Sequence, residues 1–153
     1  MSAAPSRKPD RNAQSALELS IVIPAYNEER RLPETLRRIR VYLAAKRVEA
    51  EVIVVDDGST DRTAAIVMEA RAGWPAVRLV RNETNTGKGY AVRHGVLEAR
   101  GRMVLFTDAD LSAPIEEADK LLAVLGPYDI AIGSRAVDRS LIEVHQSRPR
   151  ELA

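Results

Sequence analysis

Residues 103–112 read Met103-Val104-Leu105-Phe106-Thr107-Asp108-Ala109-Asp110-Leu111-Ser112, a short apolar run that breaks into two carboxylates one residue apart. The run has the length and composition of a strand. Side chains at i and i+2 of an extended segment point to the same side. Asp108 and Asp110 can therefore converge on one hard cation through oxygen ligands, leaving further coordination positions for a phosphorylated ligand such as a nucleotide diphosphate. The same residues also read as a turn, because aspartate is common where a strand gives way to a helix.

The unit of strand followed by polar loop recurs upstream. Leu19-Ser20-Ile21-Val22-Ile23 runs into Pro24-Ala25-Tyr26-Asn27-Glu28, and Glu51-Val52-Ile53-Val54-Val55 runs into Asp56-Asp57-Gly58-Ser59. Val77–Val80 is a further strand, and Asp129–Ile132 a short fifth. Between them the apolar spacing turns helical. Residues 28–46 carry Leu32, Leu36, Ile39 and Leu43, with Pro33 tolerable only near the first turn. A second helix, capped by Thr60 or Asp61, carries Ala64, Ile66, Val67 and Ala70 and stops near Gly73. A third spans residues 89–100, and a fourth, capped by Ser112 with Pro114 near its start, carries Leu121, Leu122 and Leu125. Regular strand–helix alternation at these lengths predicts a three-layer α/β sandwich with a mainly parallel sheet and helices on both faces. In such sheets ligands bind beyond the carboxyl ends of the strands, where the three polar loops fall.

The 153 residues allow one ordinary domain with a real core. Residues 1–18, polar and holding Pro5 and Pro9, are expected to be a disordered lead-in without the apolar centre of a signal peptide. Residues 136–153 are charged, lack a period and form an irregular tail, so the sheet reads as unfinished at its last edge. A net charge of +1 and 4% aromatic residues give no nucleic-acid footprint and no stacking platform for single strands. The absence of cysteine excludes disulfides, thiolate metal sites and a cysteine nucleophile. No apolar run approaches the roughly 18 residues of a membrane span, and the expected location is cytoplasmic.

The remaining motifs each carry two readings. Asp56-Asp57-Gly58-Ser59-Thr60-Asp61 is a turn and helix cap, yet two adjacent acids exceed what a cap requires. A carboxylate there can accept a hydrogen bond from a nucleobase imide or a ribose hydroxyl. Asn85-Thr86-Gly87-Lys88-Gly89 opens a helix, where backbone N–H groups and the Lys88 ammonium can meet an anion. It lacks the earlier glycine and the following Ser/Thr of a P-loop, and no Gly-x-Gly-x-x-Gly follows the first strand. His94 and His145 are lone histidines read as structural or solvated, and no Ser-His-Asp arrangement can be argued.

Taken together and in order, Ile21–Glu28, Val54–Asp61, Asn85–Gly89, Asp108–Asp110 and Gly133-Ser134-Arg135 resemble the nucleotide-sugar half of a family 2 glycosyltransferase of the GT-A fold. The resemblance is greatest to dolichyl-phosphate and polyprenyl-phosphate glucosyltransferases and mannose synthases. It implies inverting transfer of a hexose from UDP-glucose, or next GDP-mannose, to a polyprenyl phosphate. By that resemblance Pro24, Ala25, Tyr26 and Glu28 border the base and ribose, and Asp57 reads the base edge. Asp108 and Asp110 bind Mg²⁺ or Mn²⁺ and the diphosphate, with Ala109 between them in the substrate-binding set, while Lys88 and Arg135 lie near the phosphates or donor sugar. Residues 19–135 would then be the donor-binding half-domain, and residues 136–153 the start of an acceptor-binding half. The general base is expected in that other half, Asp138 and Glu143 being guesses within the tail. The chain alone is accordingly expected to bind donor and to transfer sugar poorly, and its place to be peripheral at the inner face of a membrane.

Two rivals stand beside this reading. One is a non-catalytic nucleotide-sugar-binding module. The other is a nucleotidyltransferase that makes sugar nucleotides, which Pro24-Ala25-Tyr26-Asn27-Glu28 disfavours because those enzymes open with a glycine- and arginine-rich loop.

Overall fold

The computed structural model describes residues 17–133. They fall into two compact units, one ending at Glu116 and the other beginning at Glu117.

The first unit is built on four parallel strands: β1 Leu19–Ala25, β2 Ala50–Asp57, β3 Val77–Asn82 and β4 Met103–Phe106. Their spatial order is β3-β2-β1-β4. The central pair holds the unbroken apolar runs, and Ile21, Val22, Ile23 and Val52 to Val55 are fully buried. A strand covered on both faces requires such a run. On β4, Val104 and Phe106 remain exposed.

Helix α1 (Leu32–Lys46) joins β1 to β2, α2 (Thr63–Gly73) joins β2 to β3, and α3 (Lys88–Glu98) crosses back from β3 to β4. Right-handed crossovers place α1 and α2 on one face and α3 on the other. The packing agrees: Val22 and Ile53, paired in register, join Val55 and Ala91 of α3 in one buried cluster. Gly95 makes this approach possible, since a Cβ there would lie 2.4 Å from Cγ1 of Val22 and 2.9 Å from Cγ2 of Val55. The three-layer α/β sandwich expected from the sequence is the architecture found.

Some boundaries differ. Helix α1 starts at Leu32 and not at residue 28, because the preceding loop bonds elsewhere: the N–H groups of Glu28 and Glu29 donate to Thr63 Oγ1 and Asp61 Oδ2. Ser112 does not cap a helix. Its N–H and hydroxyl both donate to Asp110 Oδ1, and helical structure begins only with a 3₁₀ turn at Ile115–Glu117. In the second unit, α4 spans Ala118–Val124. Asp129–Ile132 forms no strand, and Ile130 and Ile132 are 76% and 83% exposed. A β-branched run supplies propensity, but a strand exists only within a ladder, and no ladder among the described residues includes this one. The lead-in expected over residues 1–18 ends earlier: Leu17 and Glu18 bond through their backbone to Arg102, Met103 and Glu49. Residues 1–16, Arg135 of the expected site, and the expected tail 136–153 with Asp138, Glu143 and His145 lie outside the described residues.

Candidate functional site

The loops that follow β1, β2 and β4 gather at the carboxyl end of the sheet, where the crossovers change direction between β1 and β4. This is the place where open α/β sheets hold ligands. A cleft of about 360 Å³ opens there, lined by Pro24, Ala25, Tyr26, Glu28, Asp57, Asn85, Lys88, Ala91, Asp108, Ala109 and Asp110. Every site residue expected from the sequence and described by the structure is in that lining.

The loops after β1 and β2 are laced together. The Asn27 N–H donates to Ser59 Oγ, and the Thr60 N–H donates back to Asn27 Oδ1. Asp61 accepts from the N–H groups of Glu29 and Thr63. Asn27 holds the left-handed region at φ 54°, which asparagine tolerates better than most residues. These bonds fix the Pro24–Glu28 wall of the cleft against β2.

Asp57 organises the wall beside it. Its buried carboxylate accepts from Asn82 Nδ2 at 2.6 Å, from the Thr86 N–H at 3.1 Å and from the Gly87 N–H at 2.7 Å. Burial pushes this carboxyl up, but the bonds from Asn82, Thr86 and Gly87 outweigh it and hold the group below its ordinary range. The N–H groups of Thr86 and Gly87, read from the sequence as donors to an external anion, thus already serve an internal carboxylate. Gly58 lets the loops approach: at φ +74°, its added Cβ would meet the Thr84 and Asn85 backbone at 2.7 Å.

The Asp108–Asp110 turn forms the opposite wall. The Thr107 N–H donates to the Val22 carbonyl and the Leu111 N–H to the Asp108 carbonyl. Leu111 is buried at φ 47°, a conformation that costs an L-residue roughly 1–2 kcal/mol and marks a constrained turn. The Lys88 ammonium pairs with Asp108 Oδ1 at 2.5 Å. The Ser112 hydroxyl, more than the Ser112 N–H and the Arg31 charge, holds the Asp110 carboxyl below the usual range against the opposing effect of burial.

The chemistry of this donor set fits a divalent cation of the hard class. Asp108 and Asp110 offer carboxylate oxygens in one cleft, and no cluster of three or more ligating side chains exists among the described residues. Two carboxylates suit an ion whose other positions are filled by phosphate oxygens and water, as Mg²⁺ and similar ions prefer in nucleotide sites.

Three participants escape a reading of the sequence alone. His94 is not without a partner, since its Nδ1 lies 2.7 Å from Asn82 Oδ1. Asn82 links it to Asp57 and is itself buried. Thr35, on α1, donates from Oγ1 to the Ala109 carbonyl. A signal existed for Thr35 alone: it is a polar residue on the buried stripe with Leu32, Leu36 and Ile39.

A parallel sheet with an acid-bearing cleft at this position is the architecture of GT-A glycosyltransferases, and solved structures of that kind align with it. The mannosyltransferase PcManGT from Pyrobaculum calidifontis, in complex with GDP-Man and Mn²⁺, superposes with a TM-score of 0.61 at 29% identity, over 71% of this chain and 32% of that one. S. aureus TarS 1–349 in complex with UDP-GlcNAc gives 0.55 at 29% identity, over 70% and 31%. Residues 20–146 match glycosyl transferase family 2, and the chain belongs to that family. Among curated relatives, a dolichyl-phosphate beta-glucosyltransferase of Drosophila melanogaster is 44% identical over 135 residues, 79% of this chain and 41% of that protein. Another from Trichomonas vaginalis is 34% identical over 166 residues, 97% and 51% respectively. The chain thus spans about half or less of the length of these relatives.

Proposed function

We propose that this chain is the donor-binding part of a glycosyltransferase that moves a hexose from a nucleotide sugar to a polyprenyl phosphate, with inversion at the sugar carbon. The observation that carries the reading is the assembly of Pro24–Glu28, Asp57, Lys88 and Asp108–Asp110 in one cleft at the switch point of the sheet. The relatives named dolichyl-phosphate beta-glucosyltransferase favour a polyprenyl phosphate acceptor and a glucosyl group, and the donor in this reading is UDP-glucose before GDP-mannose. An acceptor of that kind places the work at a membrane surface, and no helix among the described residues is long and apolar enough to cross one.

In this reading Pro24, Ala25, Tyr26 and Glu28 form the wall for base and ribose. Asp57, which lines the cleft, would read the base imide, its bonds to Asn82, Thr86 and Gly87 keeping it rigid. Asp108 and Asp110 hold Mg²⁺ or Mn²⁺ on the diphosphate, Asp110 more directly. The cation, when bound, stabilises the charge that grows on the nucleoside diphosphate leaving group, a contribution of several kcal/mol. Lys88 supplies a second positive charge at the same phosphates, and Arg135 belongs to the same role.

The test is transfer itself. The purified chain is incubated with UDP-glucose or GDP-mannose, Mn²⁺ and a polyprenyl phosphate, and lipid extracts are analysed for the glycosylated phosphate. A β-linked glucosyl lipid from UDP-glucose supports the reading in full. Donor binding with little or no lipid product is what a donor-binding part by itself is expected to give, and binding of no nucleotide overturns the site.

A further inference from the structure

We propose that Thr35 is a positioning residue for the divalent cation: from α1 it fixes the Asp108–Asp110 turn so that both carboxylates converge before any ion arrives. The inference rests on the donor-site reading above and adds a residue outside the cleft lining.

Thr35 Oγ1 lies 2.5 Å from the Ala109 carbonyl oxygen and 3.2 Å from the Arg31 carbonyl oxygen. A hydroxyl has one proton to give, and the shorter contact takes it. That bond joins residues 74 apart in sequence and is buried, with Thr35 only 3% exposed. A buried carbonyl that loses its donor is costly, so the turn is held where Thr35 can reach it.

The carbonyl concerned belongs to the residue between the two carboxylates. The peptide that carries this carbonyl joins Ala109 to Asp110, so its orientation sets the direction of Asp110 relative to Asp108. The rest of the turn is anchored in the same way, by the buried Ala109 and Leu111 side chains and by the bond from the Leu111 N–H to the Asp108 carbonyl. Leu111 is held at φ 47°, a strained value that relaxes unless the surrounding contacts hold it. The Thr35 bond opposes that relaxation. The bond from Thr35 goes to the backbone carbonyl between the two carboxylates, so its effect on them passes through the backbone.

The experiment compares the wild-type chain, Thr35→Ser and Thr35→Val by calorimetric titration with UDP and with GDP, each with Mn²⁺ and with EDTA. Free Mn²⁺ is followed by electron paramagnetic resonance. Serine keeps the donor and valine keeps the shape. Thr35→Val is expected to lose about tenfold in Mn²⁺-dependent affinity, the order set by one hydrogen bond, with binding in EDTA unchanged and Thr35→Ser close to wild type. Should Thr35→Val fail to fold, Thr35→Ala replaces it with the same expectation. Equal Mn²⁺-dependent affinity in all variants, or a loss equally large in EDTA, overturns the positioning role and leaves the donor site standing. A wild-type chain that binds neither nucleotide with Mn²⁺ overturns both.

Discussion

His94 Nδ1 and Asn82 Oδ1 are 2.7 Å apart, and the amide nitrogen of Asn82 is committed to Asp57. The amide oxygen therefore faces the imidazole, and Nδ1 must be the donor. This assignment follows from the bonding network. A continuous chain of bonds thus runs from His94 through Asn82 to Asp57 and the amides of Thr86 and Gly87.

Asn82→Leu removes the middle of that chain and leaves a buried carboxylate short of a donor. The expected cost is about 1–3 kcal/mol, measured as a lower midpoint in urea. Hydrogen exchange at Thr86 and Gly87 is expected to accelerate more than at the central strands. Unchanged stability and protection would show that Asp57 does not depend on the amide.

Carboxylates held low at both ends of the sheet contribute to the acid limb of stability, Glu51 at the amino end. Glu51 is buried there. Burial pushes its carboxyl up, but bonds from Arg78, Ser20 and the Arg100 N–H, with the Arg78 charge, outweigh it and hold the group low. Asp57 is held low in the same direction. A carboxyl whose folded value lies below its unfolded value of about 4 stabilises the fold fully above that value and loses the contribution as pH falls through the folded one. Chemical denaturation between pH 7 and pH 2 is expected to show little change to about pH 5 and a fall below it. Glu51→Gln, less stable at neutrality, is expected to fall less. A parallel acid limb in the variant would contradict the assignment.

Lys88 is half in solvent and bridges to Asp108. An exposed pair of this kind contributes about 0.2–1 kcal/mol, and a cation that takes Asp108 must displace the amine. Lys88→Met is therefore expected to bind Mn²⁺ alone about 1.4- to fivefold more tightly and Mn²⁺ with nucleotide diphosphate more weakly. Calorimetry or electron paramagnetic resonance reads both. A parallel change of the two affinities would contradict separate roles for the amine.

How much of this was legible in the sequence depends on how far apart the partners lie. Strands with unbroken apolar runs, such as Val52–Val55, and loops with paired acids, such as Asp108–Asp110, announce themselves locally. Their meeting at one end of a parallel sheet follows from alternation and crossover handedness. The bond of Thr35 to Ala109 and the chain from His94 to Asp57 join residues that only the fold brings together. Helix α1 begins late because Glu28 and Glu29 donate to another loop, a tertiary preference that no spacing reveals. Asp129–Ile132 has strand propensity without a ladder, which shows the limit of composition as a guide.

The most direct measurement is calorimetric titration of the chain and of Asp110→Ala with UDP-glucose and with GDP-mannose, with and without Mn²⁺. The account predicts Mn²⁺-dependent binding of one donor, abolished in Asp110→Ala while the variant keeps its melting temperature within a few degrees. Donor binding that is indifferent to Mn²⁺ and to Asp110 would contradict it.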